Sequence, residues 1–221
     1  MIPDRIIKTG RKTISLQITE YAELIVRAPY RAEEKDIQET IRKHSEWISR
    51  KKQEMLSKDP KFAGKQFVNG EGFLYLGKYY KLRIVDGSDD QLTLHDQFIL
   101  SSNRADRARD IFLDWYRDAA LIKLTERADV ISQSTGLKYY SIKITNAEKR
   151  WGSCGTKGRL NFSWRLVMAP VSVIDYVVLH ELVHTAVKNH QRNFWNKVEA
   201  FMPDYSKKNE WLRQNGYLLR L

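Results

Sequence analysis

The segment DYVVLHELVHTAV, residues 175–187, constrains the fold more than any other part of this sequence. Apolar residues recur on nearly every side of the helix that this segment would form, so the helix is predicted to be buried. Two histidines and a glutamate, His180, Glu181 and His184, nevertheless lie within the same run. Burying these side chains without partners would cost several kcal/mol, so the folded protein must supply a partner for them.

The spacing of His180 and His184 favours a metal ion as that partner. Side chains four residues apart on an α-helix lie about 40° apart around the axis and about 6 Å apart along it. Two imidazoles at this spacing can bind one ion, while Glu181 points to the side, towards a water molecule on that ion. The pattern H-E-x-x-H thus predicts a zinc-dependent hydrolase with the glutamate as general base. The alternative is a core helix that exposes two histidines to solvent.

A catalytic zinc ion usually has a third protein ligand besides its water molecule. His190 follows His184 by six residues, and a continuous helix would place it about 9 Å further along and about 120° around the axis. It can bind the ion only if the chain turns back. Val187 resists positive φ, whereas Asn189 readily enters the left-handed region. We therefore predict that the helix ends at residues 188–189 and that Asn189 returns His190 to the metal.

Four further side chains are candidates for roles in the site. Glu199, in the segment FWNKVEAF, is the rival third ligand. Arg150 and Arg165 can bind a carboxylate or phosphate of a substrate, and they can equally face solvent. Cys154 is the only cysteine, and because no histidine lies near it in the sequence we expect a structural role for it.

Alternating apolar residues predict several strands. They indicate a hairpin over residues 13–28, further strands over residues 66–100, and one strand each in KYYSIKIT and RLNFSWRLVMAP. Pro170 ends the last of these strands, and Ser172 can cap the helix that follows.

Apolar residues at helical spacing predict an amphipathic helix over residues 33–55 and a longer one over residues 104–134, which Gly136 ends. The longer helix is predicted to bury a stripe of residues: Ala108, Ile111, Trp115, Ala119 and Ile122. Beyond the histidines, Phe194 and Trp195 are expected to pack in the core. This order of strands and helices is typical of an α+β protein.

Two regions are predicted along the chain, a β-rich region with one amphipathic helix over residues 1–103 and a region over residues 104–221 that contains the histidines. No linker rich in glycine, proline or serine separates them, so one continuous domain over residues 1–221 is the alternative.

Composition limits the setting and the partners of this chain of 221 residues. The net charge of +11 makes nucleotides or nucleic acids possible partners, although the basic residues are dispersed along the chain. A membrane partner is not expected, because no run of 18 or more apolar residues occurs. The start lacks the apolar core of a secretory signal, and a single cysteine excludes an intrachain disulfide. A cytoplasmic location is therefore expected.

Longer segments of the chain resemble a known family. RWGSCGTKGRLNFSWRLVMAP, followed by VIDYVVLHELVHTAVKNHQRNFW and MPDYSKKNEWLRQNG, is similar to the YgjP-like metal-dependent hydrolases, relatives of the WLM and SprT-type zinc proteases. The N-terminal stretches RKTISLQI, LIVRAP and HSEWISRKK resemble the same family. The likeness thus extends over nearly the whole chain.

The resemblance implies a zincin-like metallopeptidase core, in which an active-site helix packs against a mostly antiparallel sheet after a β-rich N-terminal region. It also implies that His180, His184 and His190 bind one Zn²⁺ ion and that Glu181 is catalytic. The expected substrate is then a peptide or a protein.

The substrate and its place of binding stay open. The strand LNFSWRLV is expected to border the cleft and to pair with an extended substrate. One alternative function is hydrolysis of a nucleotide phosphoanhydride, as in a nucleoside triphosphate pyrophosphatase, with Arg150 and Arg165 holding phosphates. The other is a SprT-like protease that acts on proteins attached to DNA.

Overall fold

Helices and strands both contribute extensively to this protein, and the predicted α+β class is confirmed. The computed structural model describes residues 2–18, 22–57, 65–87 and 91–221. Contacts between residues divide the chain into two units, residues 1–65 and residues 66–221. The boundary predicted near residue 103 lies inside the second unit. No helix in the described ranges is both long enough and apolar enough to cross a membrane.

The first unit combines a three-stranded sheet with two helices. Its elements are β1 (Arg5–Thr9), β2 (Ser15–Ile18), β3 (Leu24–Pro29), α1 (Glu34–Lys43) and α2 (Ser45–Ser57). β3 lies in the centre, antiparallel to β2 as the predicted hairpin requires, and parallel to β1. The hairpin turn, residues 19–21, falls outside the described residues.

A small hydrophobic core holds the first unit together. It is made by apolar residues of β3 and the two helices: Leu24, Val26, Ala28, Ile37, Ile41 and Ile48. The single helix predicted over residues 33–55 is wrong, because the chain leaves the helical conformation at His44, where ψ is 17°. His44 is exposed at this break between α1 and α2.

The second unit contains two sheets. β4 (Gly72–Tyr75), β5 (Lys78–Val85), β6 (Thr93–Leu94) and β7 (Phe98–Ser101) form one sheet in the order β4-β5-β7-β6. β8 (Ser141–Thr145), β9 (Gly152–Cys154) and β10 (Arg159–Ser163) form the other in the order β8-β10-β9. The helices of this unit are α3 (Ala108–Thr135), α4 (Val171–Ala186), α5 (Arg192–Phe201) and α6 (Tyr205–Asn215).

β10 is shorter than predicted and lies in the centre of its sheet. The strand ends at Ser163, and the rest of the alternating pattern forms a 3-10 helix over Trp164–Met168. β10 is parallel to β8 on one side and antiparallel to β9 on the other. Because both of its edges are paired, the prediction that this strand pairs with a substrate is wrong. β8 and β9 are the edge strands of this sheet, and β9 is the one that packs against α4.

α3 is the long helix that the sequence predicts, but it buries a different face. The buried residues are spaced mainly by four: Ala108, Phe112, Tyr116, Ala120, Leu124, Ala128 and Ile131. Of the predicted stripe only Ala108 is buried, and Ile122 is 70% exposed. From Ile111 to Ala119 the predicted stripe lies one residue before the buried face. Gly136 ends the helix in the left-handed conformation, with φ of 71°, as predicted.

Candidate active site

α4, the helix with the H-E-x-x-H pattern, is buried along most of its length, as its sequence predicts. It packs against α3, β9, α5 and α6. Arg127 of α3 fixes its first half, since the guanidinium donates two hydrogen bonds to the Asp175 carboxylate at 2.6 and 3.0 Å. The helix begins at Val171, directly after Pro170, so Ser172 lies in its first turn and does not cap it.

The imidazole rings of His180, His184 and His190 converge beside α4. The Nε2 atom of His190 lies 3.0 Å from the Nε2 atom of His184 and 3.0 Å from that of His180. These three residues form a group whose ligand atoms all lie within 4.8 Å of one another. The structure thus brings together the three histidines that the sequence selects.

The geometry of these nitrogens fits a zinc ion. Zn–N bonds of about 2.0–2.1 Å in a tetrahedral arrangement place ligand nitrogens about 3.3 Å apart, close to the observed 3.0 Å. His184 Nδ1 donates to the carbonyl oxygen of Val187 at 2.9 Å, which leaves the lone pair of its Nε2 facing the other two rings. His180 Nδ1 is buried without a hydrogen-bond partner among the described residues.

Burial keeps the two helical histidines neutral, which is the form that binds metal ions. It lowers the pKa of His180 to about 3, with the neighbouring His184 and His190 adding to the effect. Burial also lowers the pKa of His184, although the hydrogen bond to Val187 acts in the opposite direction.

The turn that brings His190 back begins earlier than predicted. α4 ends at Ala186, and Val187 is extended, with φ of −127° and ψ of 111°. Outside glycine, the described residues adopt positive φ only at four positions away from this turn: Ala22, Phe67, Leu76 and Lys157. The prediction of a left-handed hinge at Asn189 is therefore wrong. Asn189 contributes through its side chain, because its Oδ1 accepts the N–H of Gln191 at 3.2 Å.

Two aromatic residues of α5 form the surroundings of the histidines. The ring of Phe194 is fully buried, and its centroid lies 4.8, 4.4 and 4.7 Å from those of His180, His184 and His190. The indole N–H of Trp195 donates to the carbonyl oxygen of His190 at 3.1 Å. The sequence predicted only core packing for both residues, and helical spacing gave no signal that they contact the site.

Glu181 is buried on α4, with 5% of its surface exposed. Burial raises the pKa of Glu181 to about 7, while the positive charge of Arg150 acts in the opposite direction. The backbone of Gly152 in β9 packs directly on this side chain, since a Cβ atom at Gly152 would lie 2.7 Å from Glu181 Oε1. The site thus places one carboxyl group between a helix and the edge strand of a sheet.

The remaining candidates lie in different surroundings. Glu199 is exposed on α5 and does not belong to the histidine group. Arg165 stacks on the ring of Trp164 and contacts Glu148 at 3.4 Å. Burial raises the pKa of the Cys154 thiol. A reactive cysteine needs a lowered pKa, so this shift argues against a reactive thiolate.

The family model for the YgjP-like metallopeptidase domain matches residues 12–215. The chain belongs to this family. Membership makes it a metal-dependent hydrolase of the peptidase class, and it points to a peptide or protein as substrate.

Two solved structures share a local likeness with this YgjP-like protein. One is the metallopeptidase zymogen jannalysin of Methanocaldococcus jannaschii, with 19% identity and a TM-score of 0.37 over 41% of this chain and 94% of that one. The other is the metallopeptidase zymogen abylysin of Pyrococcus abyssi, with 17% identity and a TM-score of 0.38 over 44% of this chain and 96% of that one. No similar sequence was found among curated proteins.

Proposed function

We propose that this protein is a zinc-dependent peptidase with one ion held by His180, His184 and His190. The observation that carries the proposal is the convergence of three Nε2 atoms beside the buried Glu181, with that of His190 lying 3.0 Å from each of the other two. Neutral imidazoles in this number are the usual ligands of a catalytic zinc ion. When bound, zinc lowers the pKa of a water molecule and polarises the carbonyl group of the scissile peptide bond.

Glu181 is the general base of the proposed reaction. Its carboxylate accepts a proton from the attacking water and then passes that proton to the nitrogen of the leaving amine. A pKa of about 7 suits both steps near neutral pH, because the group then exchanges protons in either direction at little cost. Burial excludes bulk water from the carboxylate and so keeps the proton on this path.

The edge of β9 is the proposed binding place for the substrate backbone. Trp151 and Gly155 exchange hydrogen bonds with β10, because Ser163 N–H donates to Trp151 and Gly155 N–H donates to Arg159. Along an antiparallel ladder, residues whose N–H and C=O groups face the partner strand alternate with residues whose groups face away from it. The N–H and C=O groups of Gly152 and Cys154 therefore point away from β10, where an extended peptide can add as a further strand.

Arg150 and Arg165 are proposed to differ in their part in substrate binding, because their charges act on different groups. Arg150 is exposed, and its charge acts on the buried Glu181, so it can bind a carbonyl or carboxylate oxygen of the substrate. The guanidinium of Arg165 stacks on Trp164 and contacts Glu148, so binding of a substrate oxygen would compete with the contact to Glu148. The nucleotide alternative rests on the net charge of +11 and on the two arginines, and the DNA-associated alternative rests on that charge and on the resemblance to SprT-type proteases. No contact among the described residues of the site favours either.

Metal analysis of three variants, combined with digestion of an unstructured protein, tests the proposal. His190→Ala is expected to lose most of its zinc, and Glu199→Ala is expected to retain it. Glu181→Gln is expected to retain zinc while kcat falls by about 10²–10⁴-fold. Zinc kept by His190→Ala and lost by Glu199→Ala would overturn the ligand set. Turnover of nucleoside triphosphates without cleavage of unstructured proteins would overturn the peptidase function.

A further inference from the structure

β9 approaches α4 so closely that no side chain fits at Gly152. A Cβ atom at this position would lie 2.7 Å from Cγ and 2.7 Å from Oε1 of Glu181, and 2.9 Å from its Cδ. Non-bonded carbon atoms prefer separations of about 3.5–4.0 Å. Gly152 belongs to a paired strand and is not among the described glycines with positive φ. The requirement for glycine therefore comes from the space that Glu181 occupies and not from the backbone conformation.

We propose that Gly152 is a positioning residue for Glu181: its missing Cβ lets the β9 backbone form one wall of the carboxyl group's site and holds that group beside the three histidines. The catalytic meaning rests on the proposed function, because it requires Glu181 to be the general base. The steric part of the proposal does not depend on any activity.

Neither element can easily retreat to make room for a side chain. β9 is hydrogen-bonded to β10 on both sides of Gly152, at 2.9 Å through Trp151 and at 2.7 Å through Gly155. Trp151 is itself confined, since a Cβ atom at Gly216 would lie 2.8 Å from its Cζ2. On the other side, α4 is buried among neighbouring helices. The Glu181 side chain is thus the part that a methyl group at residue 152 would displace.

Gly155 provides a matched control in the same segment. A Cβ atom there would lie 3.5 Å from its nearest neighbour, the carbonyl oxygen of Arg159, which is an ordinary contact. Its φ of −80° suits any residue. Gly155→Ala should therefore keep wild-type zinc content, stability and turnover.

The first experiment compares Gly152→Ala with Gly155→Ala in the full-length, zinc-loaded protein. Gly152→Ala is expected to retain one zinc ion while kcat falls by about 100-fold or more, because displacement of a reacting group by about 1 Å costs this much. KM should change little, since the groups that bind substrate stay in place. A Gly152→Ala variant with wild-type kcat would overturn the catalytic part of the proposal.

A second experiment uses thermal unfolding and does not depend on peptidase activity. Gly152→Ala should lower Tm in the wild-type background and in the Glu181→Gln background, because glutamine has the same shape as glutamate. In the Glu181→Ala background the colliding atoms are gone, so the same substitution should lower Tm much less, a non-additivity expected of residues in contact.

Each outcome of this cycle decides the steric proposal. An equal loss of Tm in all three backgrounds would show that Gly152 meets something other than Glu181. If Gly152→Ala fails to fold, the double variant Gly152→Ala with Glu181→Ala is expected to fold, and its failure would count against the proposal. A wild-type protein without peptidase activity would reject the proposed function while this cycle still stands.

Discussion

At the scale of single residues, the buried Glu181 makes the metal-free protein sensitive to pH. Burial raises the pKa of this group from 4.5 to about 7 in the folded state. A group with a raised folded pKa contributes stability that is present below its unfolded pKa and is lost as the pH rises through its folded value. The contribution of Glu181 is therefore full below about pH 4.5 and lost by about pH 7.

Glu181→Gln should remove this dependence, because glutamine has the same shape and no charge. Above pH 7 the metal-free variant is expected to be more stable than the metal-free wild type by about 3 kcal/mol, the equivalent of this pKa shift. Below pH 4.5 the two should be equally stable. Urea unfolding between pH 4 and pH 8 measures the difference in stability. His180 and His184 are present in both proteins, so their titration does not contribute to this difference. A difference that does not vary with pH would contradict the prediction.

The residues of the site were predictable to the extent that their signal is local. His180, Glu181 and His184 share one turn of helix, so their spacing alone sets their common position. Phe194 and Gly152 gave no such signal. Phe194 of α5 packs its ring on two imidazoles of α4 and on that of His190 in the turn after α4, and Gly152 of β9 makes room for a glutamate of α4. Such contacts depend on how elements pack, which periodicity does not encode.

At the scale of elements, the ion pair between Arg127 of α3 and Asp175 of α4 holds the helix of the site. Both side chains are about one-fifth exposed, at 22% and 20%, and the pair has two hydrogen bonds. Arg127→Ala and Asp175→Ala are each expected to lower the free energy of unfolding by about 1–3 kcal/mol. The pair should also show coupling in a double-mutant cycle, measured by urea unfolding.

Arg213 and Glu210 of α6 offer a control for this prediction. They form an ion pair at 3.2 Å, but their side chains are 75% and 47% exposed. Arg213→Ala should therefore change the free energy of unfolding by less than about 1 kcal/mol. Equal effects of Arg127→Ala and Arg213→Ala would mean that the bridge between α3 and α4 contributes no more than a surface pair.

The sequence predicted most elements but misplaced several of their faces and ends. In α3 the apolar residues Ile111 and Ile122 competed with the aromatic Phe112 and Tyr116, and tertiary packing selected the aromatic face. The alternating pattern of β10 continues into a buried 3-10 helix. The pattern did not separate the two elements, because a buried helix and a buried strand are both rich in apolar residues. At the end of α4 the chain turned in an extended conformation at Val187, which β-branched residues favour.

At the scale of the whole molecule, the second unit contains every residue proposed for the site. It also has its own hydrophobic core, distinct from the cluster of the first unit. Residues 66–221 alone are therefore expected to fold and to bind one zinc ion that His190→Ala removes. Far-UV circular dichroism and metal analysis of this fragment test the prediction. An unfolded fragment would contradict it and would favour one continuous domain over residues 1–221.

A shorter fragment, residues 104–221, distinguishes this boundary from the one predicted near residue 103. Phe112 of α3 stacks on Phe73 of β4 at 4.2 Å between ring centroids and contacts Phe98 of β7 at 5.0 Å. The shorter fragment lacks β4–β7, so it would expose this fully buried ring on the helix that packs against α4. Loss of such a core costs several kcal/mol, a large part of the stability of a small domain. Residues 104–221 should therefore bind zinc poorly or not at all, and tight binding by this fragment would place the boundary at residue 103.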